Sequence, residues 1–366
     1  MRVLFCGGGT AGHVMPAIAI NEMLKKRFTD YDCAFVGRRD GDENRSISRG
    51  GYKLYTLDIM GFKRSLSPRN ISALFKLIKS MSEARRIIAE FRPELIIGTG
   101  GYVCYPVIKE GQRLGIKTVI HESNVYPGLV TRLLGAKCDK LLLNVEGTQK
   151  HLKSTENTEV VGNPLRQDFK GMSKEQARAA LGIKKNEFFV VSFGGSLGSE
   201  VLNEAVTSLM QGYSSHTLNI RHLHATGRKY YEELSGRYPR FSSQKAKCRI
   251  VPYIDNVPEV LRAADLAITR SGAMTISELS ALGVASILVP SPNVVANHQY
   301  MNAKYLADCG AAILIEEREL SGARLKDVIS NLRSHEAELE KMRRRIASLS
   351  DGETEKRITE IINSLI

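Results

Sequence analysis

The most constraining feature of this chain is a pattern that occurs twice. Near the N-terminus the apolar run Val3-Leu4-Phe5-Cys6 passes directly into Gly7-Gly8-Gly9-Thr10-Ala11-Gly12. Near mid-chain Phe189-Val190-Val191-Ser192-Phe193 passes into Gly194-Gly195-Ser196. A buried strand that runs through glycines into a helix opens a doubly wound α/β domain. The glycines permit positive φ and close backbone approach where strand becomes helix. Two such openings within 366 residues predict two Rossmann-like domains, each of ordinary size.

The rest of the chain fits that reading. Short apolar runs at 33–36, 95–98, 118–121, 140–144, 188–193, 220–224, 267–269 and 286–289 predict further strands. Helical patterns lie between them at 16–27, 71–90 and 201–209. Such alternation predicts parallel sheets covered on both faces. Gly162-Asn163-Pro164-Leu165-Arg166 follows an apolar run and carries turn residues, so it reads as the hinge. The expected domains are 1–163 and 164–345. The stretch 346–366, containing an amphipathic helix over 353–365 (Ile358, Ile361, Ile362, Leu365), packs back on the first domain.

Hydrophobic residues make up 43% of the chain, enough for two cores without staples. No apolar run approaches the ~18–20 residues of a membrane span, and the N-terminal strand lacks the features of a secretion signal. A cytoplasmic protein is expected. The six cysteines (Cys6, Cys33, Cys104, Cys138, Cys248, Cys309) are scattered, which predicts free thiols and no metal site. The net charge of +13 points to an anionic partner: nucleic acid, an acidic membrane surface or a phosphorylated substrate. Without a nucleic-acid motif, and with aromatics at only 7%, nucleic acid is the least favoured of these.

The first glycine loop fits G-x-G-x-x-G, and the helix start beyond it suits an anion. A dinucleotide-binding oxidoreductase is one reading of such a loop. It requires an acid at the end of the second strand for the ribose of NAD, whereas here that strand ends Val36-Gly37-Arg38-Arg39. The arginines leave an NADP version open, but that version accounts for neither the second glycine loop nor His13. His13 stands at the mouth of the sheet, where it is either a locally bonded helix-start residue or a base for a sugar hydroxyl. Gly98-Thr99-Gly100-Gly101-Tyr102 offers a third glycine element able to cradle a diphosphate. In the second half, a strand at 267–269 passes through Arg270-Ser271-Gly272 into Ala273-Met274-Thr275-Ile276-Ser277-Glu278. Small residues there admit a phosphate to the helix start, and Glu278 suits the vicinal diol of a ribose. Glu278 also suits the start of a helix on its charge alone.

These motifs, taken in order, resemble the MurG family of glycosyltransferases. Gly8 to Ala17, Gly98 to Val103, His121-Glu122-Ser123-Asn124 with Pro127-Gly128-Leu129, Gly162 to Arg166, Phe193 to Gly198, Arg270 to Glu278, and His298-Gln299 with Asn302-Ala303 carry the likeness. The chain departs from the family pattern at Ala11, Ser123 and Leu197, where glycine, glutamine and glutamine are usual. The resemblance implies the GT-B architecture: two Rossmann-like doubly wound α/β domains facing across a cleft. It also implies inverting transfer of N-acetylglucosamine from UDP-N-acetylglucosamine. The acceptor would be the C4 hydroxyl of lipid I, an undecaprenyl-diphosphate-linked muramyl pentapeptide. Thr10, Ala11, Gly12, Asn124, Arg166, Ser196, Ile254, Ala273, Met274, Thr275, Ile276, Ser277, Glu278 and Gln299 would bind the donor. Gly100, Gly101 and Tyr102 would hold the acceptor diphosphate, and His13 would be the catalytic base. The resemblance implies no metal and no cofactor. It places the chain peripherally on the cytoplasmic face of the cell membrane, with cell-wall or division proteins as further partners. Phe62-Lys63-Arg64 and the stretch 71–79 (Leu74, Phe75, Leu77, Ile78 beside Lys76 and Lys79) would meet an anionic inner leaflet. The plainer reading of 71–79 is a helix with its apolar face in the core.

Overall fold

The computed structural model describes residues 1–41, 44–61, 69–165, 171–195, 197–213 and 219–366. The chain divides into two compact units, Met1–Leu165 with Gly352–Ile366, and Arg166–Asp351.

The first unit is built on a parallel sheet of seven strands: β1 (Arg2–Cys6), β2 (Asp32–Arg38), β3 (Lys53–Leu57), β4 (Leu95–Gly98), β5 (Lys117–Glu122), β6 (Lys140–Leu143) and β7 (Thr158–Val160). Their order is β3-β2-β1-β4-β5-β6-β7. Alternation along β1 shows why the sheet needs cover on both faces. Val3 and Phe5 join the layer under helix Ala11–Arg27. Leu4 and Cys6 join the layer under helices Arg69–Phe91 and Cys104–Arg113. Helix Thr354–Leu365 closes the first of these layers, with Ile358 and Ile362 fully buried in it. Gly162, at φ +86°, makes room for this helix, since a Cβ there would stand 2.5 Å from Thr354 Oγ1.

The second unit repeats the plan with β8 (Phe188–Phe193), β9 (Ile220–Ala225), β10 (Cys248–Val251), β11 (Leu266–Thr269), β12 (Ser286–Leu288) and β13 (Ile313–Leu314). The order is β10-β9-β8-β11-β12-β13, again parallel. Val190 and Ile268 face the layer of Leu202, Val206, Leu325 and Ile329. Phe189, Val191 and Ala267 face that of Leu261, Leu279 and Leu306. Ile346, expected to start the return to the first unit, is instead buried in the second; helix Glu336–Ala347 belongs there, and the return begins at Gly352.

Both sheets reverse winding direction beside their first strand, between β1 and β4 and between β8 and β11. Ligands of open α/β sheets bind outside the carboxyl ends of the strands at such a point. The four loops leaving those strands are segments singled out in the sequence, three of them glycine-rich.

An ion cluster at the opposite edge ties the second unit together. The Asp265 carboxylate meets Lys174 at 2.7 Å, Arg178 at 2.9 Å and Arg343 at 3.1 Å, and accepts from the Phe189 N–H at 2.8 Å. Burial alone would raise its pKa, but Lys174, the Phe189 N–H and Arg178 outweigh burial and hold it below the usual value. Its stabilisation is therefore complete above the unfolded value of about 4 and is lost as pH falls through the lower folded value. Asp265→Asn should lower stability by about 3 kcal/mol at pH 7, since three cations lose their counterion. Urea unfolding checks this, and the difference from the unsubstituted protein should narrow near pH 3.

Candidate functional site

In the first unit, the loops after β1 and β4 are stitched together by their backbones. The Gly8 N–H donates to the Gly100 carbonyl at 3.3 Å, and the Thr99 N–H donates to the Cys6 carbonyl at 3.0 Å. The buried Thr99 hydroxyl donates to the His13 carbonyl at 2.6 Å. Glycine is required at the contact. Gly101, at φ +83°, lies so close that a Cβ would be 1.9 Å from the Gly8 carbonyl oxygen. Gly100, at φ +115°, would place a Cβ 2.6 Å from Cδ2 of the His13 ring. The Tyr102 ring lies over two further glycines, with hypothetical Cβ atoms on Gly9 and Gly61 at 3.4 and 3.2 Å.

His13 sits half-buried in the first turn of helix Ala11–Arg27. Its Nδ1 is 3.0 Å from the Gly8 carbonyl oxygen and 3.2 Å from Thr10 Oγ1. A carbonyl only accepts, so Nδ1 carries the proton and Nε2 of the neutral ring carries the lone pair. The local arrangement thus sets the tautomer of a base. Thr10, the N-cap residue, makes no side-chain cap bond and turns its hydroxyl to the imidazole instead. With no acid in its first turn, the helix presents an uncompensated positive end beside the glycines.

Asn124 lies at the same edge, just beyond β5, where the buried Glu122 anchors it. Glu122 accepts from the Asn124 N–H at 3.0 Å, its side-chain amide at 3.2 Å, the Gly128 N–H at 2.8 Å and the Thr131 hydroxyl at 2.7 Å. His121 faces inward and bonds the Gly162 carbonyl at 3.0 Å, and burial lowers its pKa. Thr10, Gly12, His13, Gly100, Gly101, Tyr102 and Asn124 therefore share the carboxyl edge of this sheet. So does the backbone of Ala11.

In the second unit, β11 leads through Arg270-Ser271-Gly272 into helix Ala273–Leu282. Gly272 caps the helix without a side-chain bond, and its first turn holds no acid. This end is likewise electropositive. Ser271 is fully buried; its hydroxyl donates to the Gln299 carbonyl at 2.8 Å, and its own carbonyl accepts from the Asn302 amide at 3.2 Å. Gln299 Oε1 accepts from the Ser291 N–H at 2.9 Å, which turns its amide nitrogen the other way. Ala296 and Asn297, just before helix His298–Asp308, both adopt left-handed φ (55° and 51°). For alanine that conformation costs about 1–2 kcal/mol. Ile254 and Ile276 share one apolar core, so only their backbones can face a ligand. Met274, Thr275 and Glu278 are half-exposed on the helix's first turns, while Ser277 is buried. Arg166 and Ser196 lie outside the described residues.

Sequence reasoning missed three positioning groups: Thr99, Glu122 and Arg270. Arg270 donates to Ser199 Oγ at 2.5 Å and to the Val289 carbonyl at 3.1 Å, and pairs with Glu317. Each is a polar residue at the end of a buried strand, which is the one signal that could have marked them.

Helix Arg69–Phe91 carries a further surface. Ile71, Leu74, Phe75 and Ile78 are 63%, 51%, 68% and 62% exposed, and their spacing aligns them in one stripe. The core takes the other stripe, with Ala73, Ala84, Ile87 and Ile88. Leu77 packs with the core, and Lys76 and Lys79 flank Asp58 at 2.7 and 3.8 Å. Residues 62–64 lie outside the described residues. No helix among the described residues is long and apolar enough to cross a membrane.

The pattern of the glycosyltransferase family 28 N-terminal domain matches residues 3–143, and that of its C-terminal domain matches 189–358. The chain belongs to glycosyltransferase family 28. Within it the chain is a member of the MurG family, as relatives 38% and 39% identical over its full length show. A UDP-N-acetylglucosamine–N-acetylmuramyl-(pentapeptide) pyrophosphoryl-undecaprenol N-acetylglucosamine transferase of Acetivibrio thermocellus is 38% identical, covering 100% of this chain and 98% of the relative. One of the same name from Desulforudis audaxviator is 39% identical over the same shares. The crystal structure of Acinetobacter baumannii MurG superposes with a TM-score of 0.78 at 23% identity, covering 99% of each chain, and shares the fold.

The hydrogen-bond geometry predicts that neutral His13 is the Nδ1–H tautomer. ¹⁵N chemical shifts of the ring should report it. Gly101→Ala, which displaces the Gly8 carbonyl, should erase the preference.

Proposed function

We propose that the chain is an inverting glycosyltransferase of peptidoglycan synthesis. It moves N-acetylglucosamine from UDP-N-acetylglucosamine to the C4 hydroxyl of N-acetylmuramyl-(pentapeptide)-pyrophosphoryl-undecaprenol. The full-length relatives bear that name. The observation that carries the chemistry is His13, whose Nδ1 is committed to the Gly8 carbonyl so that Nε2 is the basic nitrogen. In the reaction, the acceptor hydroxyl gives its proton to Nε2 as its oxygen bonds the anomeric carbon. The bond from that carbon to the diphosphate breaks, its electron pair leaves with UDP, and configuration inverts.

The second unit binds the donor. The start of helix Ala273–Leu282 faces the diphosphate with its N–H groups and positive end, and stabilises charge as it develops on the leaving group. Arg166 and Ser196 serve the same diphosphate. Glu278 takes the ribose, the backbone at Ile254 the uracil, and the amide nitrogen of Gln299 the sugar hydroxyls. In the first unit, Gly100, Gly101 and Tyr102 receive the acceptor diphosphate. Because the acceptor carries a polyprenyl tail, the enzyme works peripherally at the cytoplasmic face of the membrane, beside other proteins of the cell wall and division. The stripe Ile71, Leu74, Phe75 and Ile78 enters the interface there.

His13→Ala should cut kcat by about 10²–10⁴-fold, the usual worth of a general base, and leave UDP binding by calorimetry unchanged. Transfer that persists at full rate removes His13 from this role. The protein should sediment with vesicles containing anionic lipid and be released by salt. Phe75→Ser with Ile78→Ser should weaken that binding about tenfold or more, given the apolar area withdrawn. Equal sedimentation of both proteins would contradict the assignment of this face.

A further inference from the structure

The layer that packs helix Glu200–Gln211 onto the second sheet holds four polar side chains that the chemistry above does not use. Ser192 on β8, His222 and His224 on β9, and Asn203 on the helix are at most 1% exposed. Val190 pairs with His222 and Ser192 with His224, so all four face the apolar layer of Leu202 and Val206. Such groups are costly when buried without partners.

Their donors and acceptors close into one chain that runs in one direction. The Thr226 carbonyl only accepts, and Asn203 Nδ2 donates to it at 3.0 Å. This turns Asn203 Oδ1 toward His224 Nε2, 3.0 Å away, which must carry the proton. His224 Nδ1 then accepts from the Ser192 hydroxyl at 2.8 Å, and its 3.2 Å approach to the Ser192 carbonyl oxygen is not a hydrogen bond in this tautomer, because both atoms present lone pairs. Ser192 Oγ accepts from His222 Nε2 at 2.8 Å, and His222 Nδ1 accepts from the Tyr213 hydroxyl at 3.3 Å. The chain requires both rings to be neutral. Burial supplies this, pushing His222 well below its usual value and His224 down to about 4.

The end of the chain abuts the glycine loop after β8. A Cβ on Gly198, at φ +77°, would stand 2.1 Å from the Thr226 carbonyl oxygen. One on Gly227, at φ +86°, would stand 2.6 Å from the Leu197 carbonyl oxygen. With no side chain between the two backbones, the position of Thr226 sets that of Gly198. Ser199, the next residue, caps helix Glu200–Gln211 and accepts from Arg270.

We infer that His224 is a positioning residue for donor binding: through Asn203 and the Thr226 carbonyl it holds the Gly198 loop where the sugar nucleotide's diphosphate is received. The inference rests on the reading of the second unit as the UDP-sugar site.

Two substitutions separate this role from a merely structural one. His224→Gln keeps an amide N–H where Nε2 stood, and so keeps the bond to Asn203. His224→Asn keeps a polar group at the level of Nδ1 and loses that bond. Both remove a buried imidazole, so their melting temperatures should fall alike. Donor recognition should divide them. In His224→Asn, KM for UDP-N-acetylglucosamine and Kd for UDP by calorimetry should rise about tenfold, the usual scale of one buried hydrogen bond. In His224→Gln most of that loss should be recovered, and kcat should move little in either. Asn203→Ala cuts the same arm without touching the imidazole and should raise KM like His224→Asn. Equal KM in the two histidine variants, or an unchanged KM in Asn203→Ala, overturns the positioning role. If the unsubstituted protein fails to bind UDP, the donor-site reading itself falls, and this inference falls with it.

Discussion

The candidate site in the first unit depends on how closely two stretches of backbone approach. Gly101 presses its Cα against the Gly8 carbonyl, and that same carbonyl holds Nδ1 of His13. Any side chain at Gly101 would push the carbonyl away, and the imidazole would lose the bond that fixes its tautomer. The second unit repeats the device where Gly198 meets Thr226. In both, a glycine loop at the carboxyl edge of the sheet takes its position from a neighbouring loop by backbone contact. Glycine is therefore a geometric requirement at these positions rather than a source of flexibility.

The sheet plan sets this contact where open α/β sheets bind their ligands. Winding reverses between β1 and β4 and between β8 and β11, so adjacent strands send their loops to opposite faces and open a crevice between them. Helix starts at the rim add positive potential from the backbone itself. The rigid parts lie beneath: apolar layers on both faces of each sheet, and ion clusters such as that around Asp265, at a distance from the chemistry.

Much of this was legible in the sequence, for a physical reason. Strands covered on both faces must be continuously apolar, so β1, β4 and β8 stand out. The edge strand β3, Lys53-Leu54-Tyr55-Thr56-Leu57, mixes polar with apolar residues and carries no such signal. Glycine runs marked the loops but not their partners, because bonds such as Thr99 to the His13 carbonyl join residues far apart in the chain. Helix Arg69–Phe91 shows the limit of periodicity. It bears two apolar stripes, and spacing alone does not say which one meets the core. The small residues Ala73, Ser80 and Ala84 go inward, and the bulky Ile71, Leu74, Phe75 and Ile78 stay outside.

The helix Thr354–Leu365 gives the first unit an unusual history during synthesis. Its Ile358 and Ile362 fill a layer shared with Val14, Ile20 and Leu24, which are made before the second unit. Until the ribosome releases this helix, the N-terminal unit exposes an unfinished apolar face while the entire second unit is translated. The second unit, contiguous in the chain, can close first. The unit begun before the other is thus the unit whose core is completed after it, and in that interval its open apolar face favours aggregation.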